Sequence, residues 1–158
     1  MSASRYPFRE FIDTPVGCLQ ICADDDGIAA LLYAPEDGAQ EESNAHTRQA
    51  KQQLEEYFQG KRQHFDLSIS VKGTDFQQSV WQQLKAIPYG ECRSYADIAN
   101  ILDKPKAVRA VGAANGRNPL PIIVPCHRVI GSNGALTGFA GGLDMKEWLL
   151  RHEGYLMI

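Results

Sequence analysis

The hydrophobic pattern of the chain changes near Gly73, and this change limits the folds that the sequence can form. Before that point, short runs of strand-like composition alternate with turn residues, at residues 8–13, 18–23 and 28–33. After it, apolar residues recur at every third or fourth position, as in amphipathic helices. We therefore predict an α+β protein with two domains: an N-terminal α/β domain with its linker at residues 1–73, and a mostly helical C-terminal domain at residues 74–158.

The N-terminal part is predicted to form a small antiparallel sheet packed by one helix. An acidic turn that ends at Gly27 separates two of the strands. Ala50, Leu54 and Tyr57 repeat with helical spacing, and Gly60 is a natural stop for that helix. We expect the helix to cover the sheet, and residues 61–72 to supply one more strand followed by the linker.

The C-terminal part is predicted to begin with three helices. Thr74 or Asp75 can cap the first helix, and Ser94 opens the second with a capping-box sequence. The third helix runs from Pro105, which suits a first helical position, to a stop at Asn115. Because only two residues separate the second and third helices, the pair resembles a helix-turn-helix with the third helix as the recognition element.

Basic residues are concentrated in the second part of the chain. No acidic residue occurs from position 104 to position 143, where five Lys or Arg residues give a local charge of plus five. The part before Gly73 carries seven Lys or Arg against twelve Asp or Glu, and the part after it nine against seven. This asymmetry indicates a polyanionic partner that is bound by the second part only. An ordinary solvated face explains a charge of plus five equally well.

The predicted recognition helix offers one long basic side chain among small ones. Apart from Arg109, its exposed positions are expected to carry Ala107, Ala110, Ala113 and Ala114, which have no groups for reading base edges. Small residues permit a close approach to the minor groove of DNA, where one inserted Arg can hold the duplex open without sequence preference. The alternative is an alanine-rich packed helix with Arg109 in solvent.

A candidate nucleophile follows the apolar run at residues 122–124. Cys126 stands directly before His127 and Arg128, and a nearby cation or proton acceptor lowers the pKa of a thiol and raises its thiolate fraction. We expect an extended segment here, in which Cys126 and His127 point to opposite faces, so a bridging water is easier to build than direct contact. The alternative is a small buried hydrophobic residue.

The remaining cysteines indicate a reducing compartment. The four cysteines of the chain form neither a dense framework nor a zinc-ribbon spacing, and no apolar run approaches the ~20 residues of a membrane span. We therefore expect a cytoplasmic protein without a membrane partner. Cys18 and Cys22 lie on one face of a predicted strand, and His46 and His64 could in principle complete a metal site with them. We interpret these two cysteines as small apolar strand residues.

Several ordered motifs of the second part carry a resemblance to a known family. They are Ile87-Pro88-Tyr89-Gly90, Ser94-Tyr95, the run Lys106-Ala107-Val108-Arg109-Ala110-Val111-Gly112, Asn118-Pro119, Pro125-Cys126-His127-Arg128-Val129, and the segment from Lys146 to Gly154. Together they resemble the O6-alkylguanine-DNA alkyltransferases, from Phe76 almost without interruption to the C-terminus. The likeness before Phe76 is weaker but compatible.

The resemblance implies a fold and a function. It implies a ribonuclease H-like N-terminal domain and a winged helix-turn-helix in the C-terminal domain. It also implies DNA repair by direct reversal, in which the alkyl group of O6-alkylguanine, or of O4-alkylthymine, moves irreversibly to the protein's own Cys126. The partner is then double-stranded DNA whose damaged base is flipped out of the stack, and the protein is expected to act as a monomer without a cofactor or metal.

The resemblance also implies roles for individual residues. Glu153 orients His127, which acts on Cys126 through a water molecule. Tyr95 donates a proton or hydrogen bond to the departing guanine, and Asn118 joins the recognition helix to the active-site segment. Arg109 is the finger that fills the space left by the flipped base. The other residues implied to bind DNA are Ser94, Lys106, Ala107, Ala110, Ala114 and Arg117, and the base and alkyl pocket is implied to include Pro121, Val129, Phe139 and Ala140.

The chain departs from the family pattern at one pocket position, and two other classes of function are alternatives to alkyl transfer. Many members have a tyrosine where this chain has Phe139, so the pocket loses a hydroxyl group. A non-catalytic sensor of alkyl lesions is the main alternative function, although that class replaces the reactive cysteine and Cys126 is present. A cysteine hydrolase would require an oxyanion hole and would not need a helix-turn-helix or a basic stripe.

Overall fold

A computed structural model of the chain describes residues 6–33, 40–137, 139 and 141–155. The chain forms two compact units, Met1–Lys72 and Gly73–Ile158. Each unit has its own buried apolar residues, such as Leu19, Ile21 and Leu54 in the first and Val80, Leu84 and Ile98 in the second.

The first unit is a three-stranded antiparallel sheet with one helix. The strands are β1 (Phe8–Thr14), β2 (Gly17–Ala23) and β3 (Ile28–Leu32), in the order β1-β2-β3. Helix α1 (Ala45–Phe58) begins at a capping box formed by Asn44 and contacts all three strands. The predicted sheet and its covering helix are therefore confirmed.

The expectation of one more strand within residues 61–72 is wrong. This segment makes only an isolated bridge between Ile69 and Ile28. The reason is visible at Asp66, whose backbone bonds to the side chain of Gln53 on α1. Gln53 Nε2 donates to the Asp66 carbonyl at 3.0 Å, and the Asp66 amide donates to Gln53 Oε1 at 2.9 Å. A side-chain amide thus takes the place of a neighbouring strand.

The second unit is mostly helical. Its helices are α2 (Asp75–Lys85), α3 (Tyr95–Ile101), α4 (Val108–Gly116) and α5 (Leu143–His152). Two short strands, β4 (Arg93–Ser94) and β5 (Val129–Ile130), pair in parallel. The capping box predicted at Ser94 forms at the start of α3. Of the two candidates for α2, Thr74 is the cap, and it also forms a reciprocal capping box.

Helix α4 differs from the prediction in its start and in its buried face. It begins at Val108 because the residues before it form a turn, in which the amide of Ala107 donates to the carbonyl of Lys104 at 2.8 Å. Val108, although apolar, is exposed. Ala114 was expected on the exposed face and is buried. Positions 111, 114 and 115 make the buried stripe, since residues three and four apart share one helix face.

Candidate active site

Cys126 lies on a single turn of 3-10 helix, and the expected extended segment is wrong. The turn spans Cys126–Arg128 and is closed by the amide of Arg128, which donates to the carbonyl of Pro125 at 3.0 Å. The chain reaches this turn through Ile122, whose φ of 73° lies in the left-handed region. A β-branched residue rarely adopts that region, so the segment that delivers the cysteine is strained.

The thiol of Cys126 is buried, with 5% of the residue exposed. Burial raises its pKa to about 11, although a hydrogen bond with Asn118 and the charge of Lys146 act in the opposite direction. Arg128, which the sequence placed beside the thiol as an activating cation, is instead paired with Glu153. Cys126 is therefore a neutral thiol at pH 7 in this state, and a base must remove its proton before it can react as a thiolate.

Glu153 binds the two residues that follow Cys126 in the turn, His127 and Arg128. Its Oε2 lies 2.7 Å from His127 Nε2, and its Oε1 lies 2.7 Å from Arg128 Nε. Arg128 Nη2 adds a second bond to Oε2 at 3.0 Å, so the arginine binds the carboxylate through two nitrogens. Burial alone would raise the pKa of Glu153, but the hydrogen bond from His127, together with the hydrogen bonds and charge of Arg128, holds its pKa well below the usual range. Glu153 is therefore an ionised acceptor.

His127 is fully buried and oriented as a base. Because the Glu153 carboxylate can only accept, Nε2 of the imidazole carries the hydrogen and donates it. The other nitrogen, Nδ1, has no hydrogen-bond partner among the described residues. Burial lowers the pKa of His127, against the opposing attraction of Glu153. The neutral ring therefore presents the lone pair of Nδ1 as a proton acceptor.

Two asparagines fix the backbone around Cys126. Asn118 Nδ2 donates to the carbonyl of Val124 at 2.7 Å, and Asn118 Oδ1 accepts from the amide of Leu120 at 3.0 Å. Asn115, at the end of α4, donates from Nδ2 to the carbonyl of Cys126 at 3.4 Å. Asn118 was predicted as the connection to the recognition helix. Asn115 was read from the sequence only as a helix stop, and no sequence signal distinguishes it from one.

Lys146 is a buried cation that the sequence did not single out. It lies on α5 with its side chain enclosed, and Nζ donates to the carbonyls of Val129 at 2.6 Å and Thr137 at 2.8 Å. Burial lowers its pKa, while the charge of Cys126 in its thiolate form would act to raise it. Lys is almost never fully buried without partners. The only sequence signal that pointed to Lys146 was its place in the family motif from Lys146 to Gly154.

Tyr95 lies beside the same loop. It is the first residue of α3, and its hydroxyl donates to the carbonyl of Thr137 at 3.3 Å. The Thr137 carbonyl thus accepts from Tyr95 and from Lys146. Of the pocket residues, Pro121 and Val129 are buried and Phe139 is half-buried, whereas Ala140 lies outside the described residues.

The predicted DNA-binding residues differ in exposure. The exposed ones are Lys106, Arg109, Ala110 and Arg117, and the half-buried ones are Ser94 and Ala107. Ser94 also uses its hydroxyl to cap α3. Ala114 is a correction, because it is buried and its carbonyl accepts from Nε1 of Trp81 at 2.9 Å. It cannot present its methyl group to a ligand in this conformation.

The described part of the chain has no cluster of metal ligands and no helix that could span a membrane. No group of three or more His, Cys, Asp or Glu residues there is arranged to hold a metal ion. Cys18 is exposed and Cys22 is buried on the same strand. Among the helices of the described residues, none has the length and apolar character needed to cross a membrane.

Comparisons with known proteins agree over both units. Two family models match the chain, the 6-O-methylguanine DNA methyltransferase ribonuclease-like domain over residues 8–71 and the DNA binding domain of the same family over residues 75–155. A constitutive methylated-DNA–protein-cysteine methyltransferase of Bacillus subtilis is 52% identical over 151 residues, which cover 89% of this chain and 92% of the relative. A methylated-DNA–protein-cysteine methyltransferase of Methanosarcina acetivorans is 47% identical and covers 93% of this chain and 98% of its own.

Solved structures give the same result. The crystal structure of Mycobacterium tuberculosis O6-methylguanine methyltransferase superposes with a TM-score of 0.83 at 43% identity, covering 92% of each chain. The structure of the Mycobacterium tuberculosis protein in complex with DNA superposes with a TM-score of 0.84 at the same identity and coverage.

Proposed function

Because the chain belongs to the 6-O-methylguanine DNA methyltransferase family, we propose that it repairs alkylated DNA in one step, with Cys126 as the acceptor of the alkyl group. One observation carries the assignment of Cys126. A buried thiol stands next to His127, whose Nε2 is held by an ionised Glu153 and whose Nδ1 is a bare proton acceptor. This is the arrangement of an activated nucleophile, with a base that a third group orients.

The reaction is a displacement at a saturated carbon. The proton of the Cys126 thiol passes to Nδ1 of His127 through a water molecule. The sulfur then forms a bond with the alkyl carbon while the bond between that carbon and O6 of guanine breaks. The electrons of the broken bond leave with the guanine, which takes up a proton or hydrogen bond from Tyr95. The new imidazolium faces Glu153 at 2.7 Å, so the charge produced on His127 is stabilised where it forms.

Tyr95 can make this donation without losing its place. In the free protein its hydroxyl donates to the carbonyl of Thr137. That carbonyl also accepts from Lys146 at 2.8 Å, so it stays satisfied when Tyr95 turns to the guanine. The product is a thioether, which offers water no carbonyl group to attack. Each molecule of protein therefore reacts once.

The substrate is a base flipped from double-stranded DNA, because the O6 atom of guanine is shielded inside the stack. Arg109 is exposed on α4 next to Ala110, which allows the helix to approach the groove closely. Lys106 and Arg117 are exposed at the two ends of the same helix and supply phosphate contacts. We propose that the protein does this as a monomer, and in the cytoplasm, where a reducing environment keeps Cys126 as a thiol.

Intact-mass analysis tests the proposal. The protein is mixed with a duplex that contains one O6-methylguanine, and the site of any adduct is mapped by peptide analysis. We expect one methyl group per protein, on Cys126, with none on the Cys126→Ser variant. Cys18→Ser is the matched control, since that thiol is exposed and lies in the other unit. Lesion-selective binding without a mass gain would instead make the protein a sensor of alkyl lesions.

A further inference from the structure

Four buried side-chain atoms lack a hydrogen-bond partner in the described part of the chain. Glu10 Oε1 and Gln20 Oε1 belong to the first unit. The other two, Asn115 Oδ1 and His127 Nδ1, belong to residues that are joined to Cys126, one by a hydrogen bond and one by the peptide bond. Buried acceptors are rarely left without a donor, so this pair around the nucleophile requires an explanation.

The orientation of the Asn115 amide follows from its neighbour. The carbonyl of Cys126 can only accept, so the amide group that faces it at 3.4 Å must be Nδ2 and not Oδ1. Oδ1 is therefore free to accept from a different donor. Only 3% of Asn115 is exposed, so bulk water does not solvate that oxygen.

His127 presents an acceptor of the same kind. Its Nε2 hydrogen is committed to Glu153 at 2.7 Å, which leaves a lone pair on Nδ1. The ring is fully buried. The two unpartnered atoms beside Cys126 are thus both acceptors, and both are enclosed.

We propose that Asn115 Oδ1 and His127 Nδ1 together hold one water molecule, and that Asn115 is a positioning residue for proton removal from Cys126. A water molecule has two hydrogens to donate, one for each acceptor, and a lone pair that can accept from the thiol. The inference rests on the proposed function, which routes the thiol proton to His127 through water but leaves the water free to rotate.

Asn115 neither gains nor loses a proton during the transfer. The bond between sulfur and hydrogen in Cys126 breaks as that hydrogen joins the water oxygen. The hydrogen that the water directs at His127 moves to Nδ1, and water is restored. The hydrogen directed at Asn115 stays in place throughout, so it fixes the orientation of the water and with it the direction of transfer.

The charged groups around this water are few. Glu153 faces the far side of the His127 ring, and Arg128 pairs with Glu153. The positive charge of Lys146, on α5, favours the thiolate form of Cys126 and so acts to lower the pKa of that thiol. Asn115 comes from α4, the helix that carries Arg109. The action of His127 as a base therefore depends on the position of α4, the helix that we propose enters the DNA groove.

The test is the pH dependence of Cys126 reactivity towards iodoacetamide, measured without DNA and mapped to Cys126. In the wild type, we expect reaction near neutral pH that depends on His127. In Asn115→Leu, we expect about tenfold slower reaction at pH 7, a part of the ~10²- to 10⁴-fold that a general base contributes. The reaction rate of this variant should instead rise with pH only as the Cys126 thiol ionises without the help of His127, and the pKa of that thiol lies at about 11. Asn115→Thr keeps an acceptor oxygen and should recover part of the neutral reaction.

The variant His127→Gln distinguishes a failure of the proposed role of Asn115 from a failure of the proposed function. Loss of neutral reactivity in His127→Gln but not in Asn115→Leu would overturn the role of Asn115 and leave the proposed function standing. Neutral reactivity retained in His127→Gln would overturn the relay itself. A high-resolution crystal structure of the wild type gives an answer that needs no variant. We expect a water within hydrogen-bond distance of both Asn115 Oδ1 and His127 Nδ1, and its absence would contradict the proposal.

Discussion

Nε2 of His127 lies 2.7 Å from Oε2 of Glu153, and both side chains are fully enclosed. The same carboxylate binds Arg128, so Glu153 accepts hydrogen bonds from two buried side chains, one of His127 and one of Arg128. The arginine keeps the carboxylate ionised, and the ionised carboxylate in turn fixes the tautomer of the histidine. Activation of Cys126 therefore depends on Glu153, which acts on the thiol through His127.

Replacing Glu153 with Gln should reduce both transfer and stability. The amide can no longer enforce the Nε2 hydrogen on His127, so methyl transfer should slow by about 10²-fold, a typical loss for a disabled general base. Arg128 would also be left buried without its counter-charge, which costs about 3–5 kcal/mol in comparable cases. Single-turnover kinetics and urea unfolding measure the two effects. Glu147→Gln is the matched control, because Glu147 lies on α5, the helix whose C-cap is Glu153, in an exposed pair with Arg151, and it should change neither quantity.

Stability should fall as the pH is lowered from 7, in two stages. Burial lowers the pKa of His127, so the unfolded chain takes up a proton at this position near pH ~6.5 before the folded protein does. The free energy of unfolding then drops by up to ~1.4 kcal/mol per pH unit for that proton. Glu153, whose pKa the neighbouring charges hold low in the folded state, adds a second loss below about pH 4.3. Urea unfolding between about pH 3 and pH 8 should show both stages, and His127→Gln should remove the first one only.

Replacing Lys146 with Met should raise the pKa of Cys126 and loosen the loop at Thr137. The variant removes a positive charge that stabilises the thiolate and leaves the carbonyls of Val129 and Thr137 without their donor. We expect slower iodoacetamide reaction at a given pH and a stability loss of about 1–3 kcal/mol per carbonyl that stays unpaired. Lys85→Met is the control, since Lys85 is exposed at the end of α2. Equal reactivity in the two variants would exclude an electrostatic role for Lys146.

The sequence predicted the elements that local signals determine. Thr74 and Ser94 each stand three residues before a side chain that returns their capping bond, and both helices begin there. The start of α4 was placed too early because Pro105 fits a helix and a turn equally well. The strand expected within residues 61–72 does not form, because the side chain of Gln53, on α1, takes both backbone hydrogen bonds of Asp66. Contacts of this kind have no periodicity from which they could be predicted.

The candidate site was predictable in its residues and not in its geometry. The motif around Cys126 brought His127 into the prediction, and the segment from Lys146 to Gly154 brought Glu153 into it. An extended segment was expected, however, where a 3-10 turn forms. That turn directs Arg128 to Glu153 and away from the thiol. The cation that acts on Cys126 is Lys146, twenty residues further along the chain. A charge next in sequence need not be a charge nearby in space.

Arg109 and Lys106 should differ in what they contribute to repair, although both are exposed and basic. If Arg109 fills the space of the flipped base, Arg109→Ala should slow methyl transfer from a duplex much more than from a single strand, where there is no stack to hold open. If Lys106 contacts phosphate, Lys106→Ala should weaken binding to all duplexes alike and reduce the salt dependence of binding by about one counterion. Single-turnover rates on duplex and single-stranded O6-methylguanine, with binding measured over a range of salt concentrations, separate the two behaviours. An Arg109→Ala variant that loses the same fraction of its rate on both substrates would make Arg109 another phosphate contact, and base extrusion would then have to be assigned to a different residue of α4.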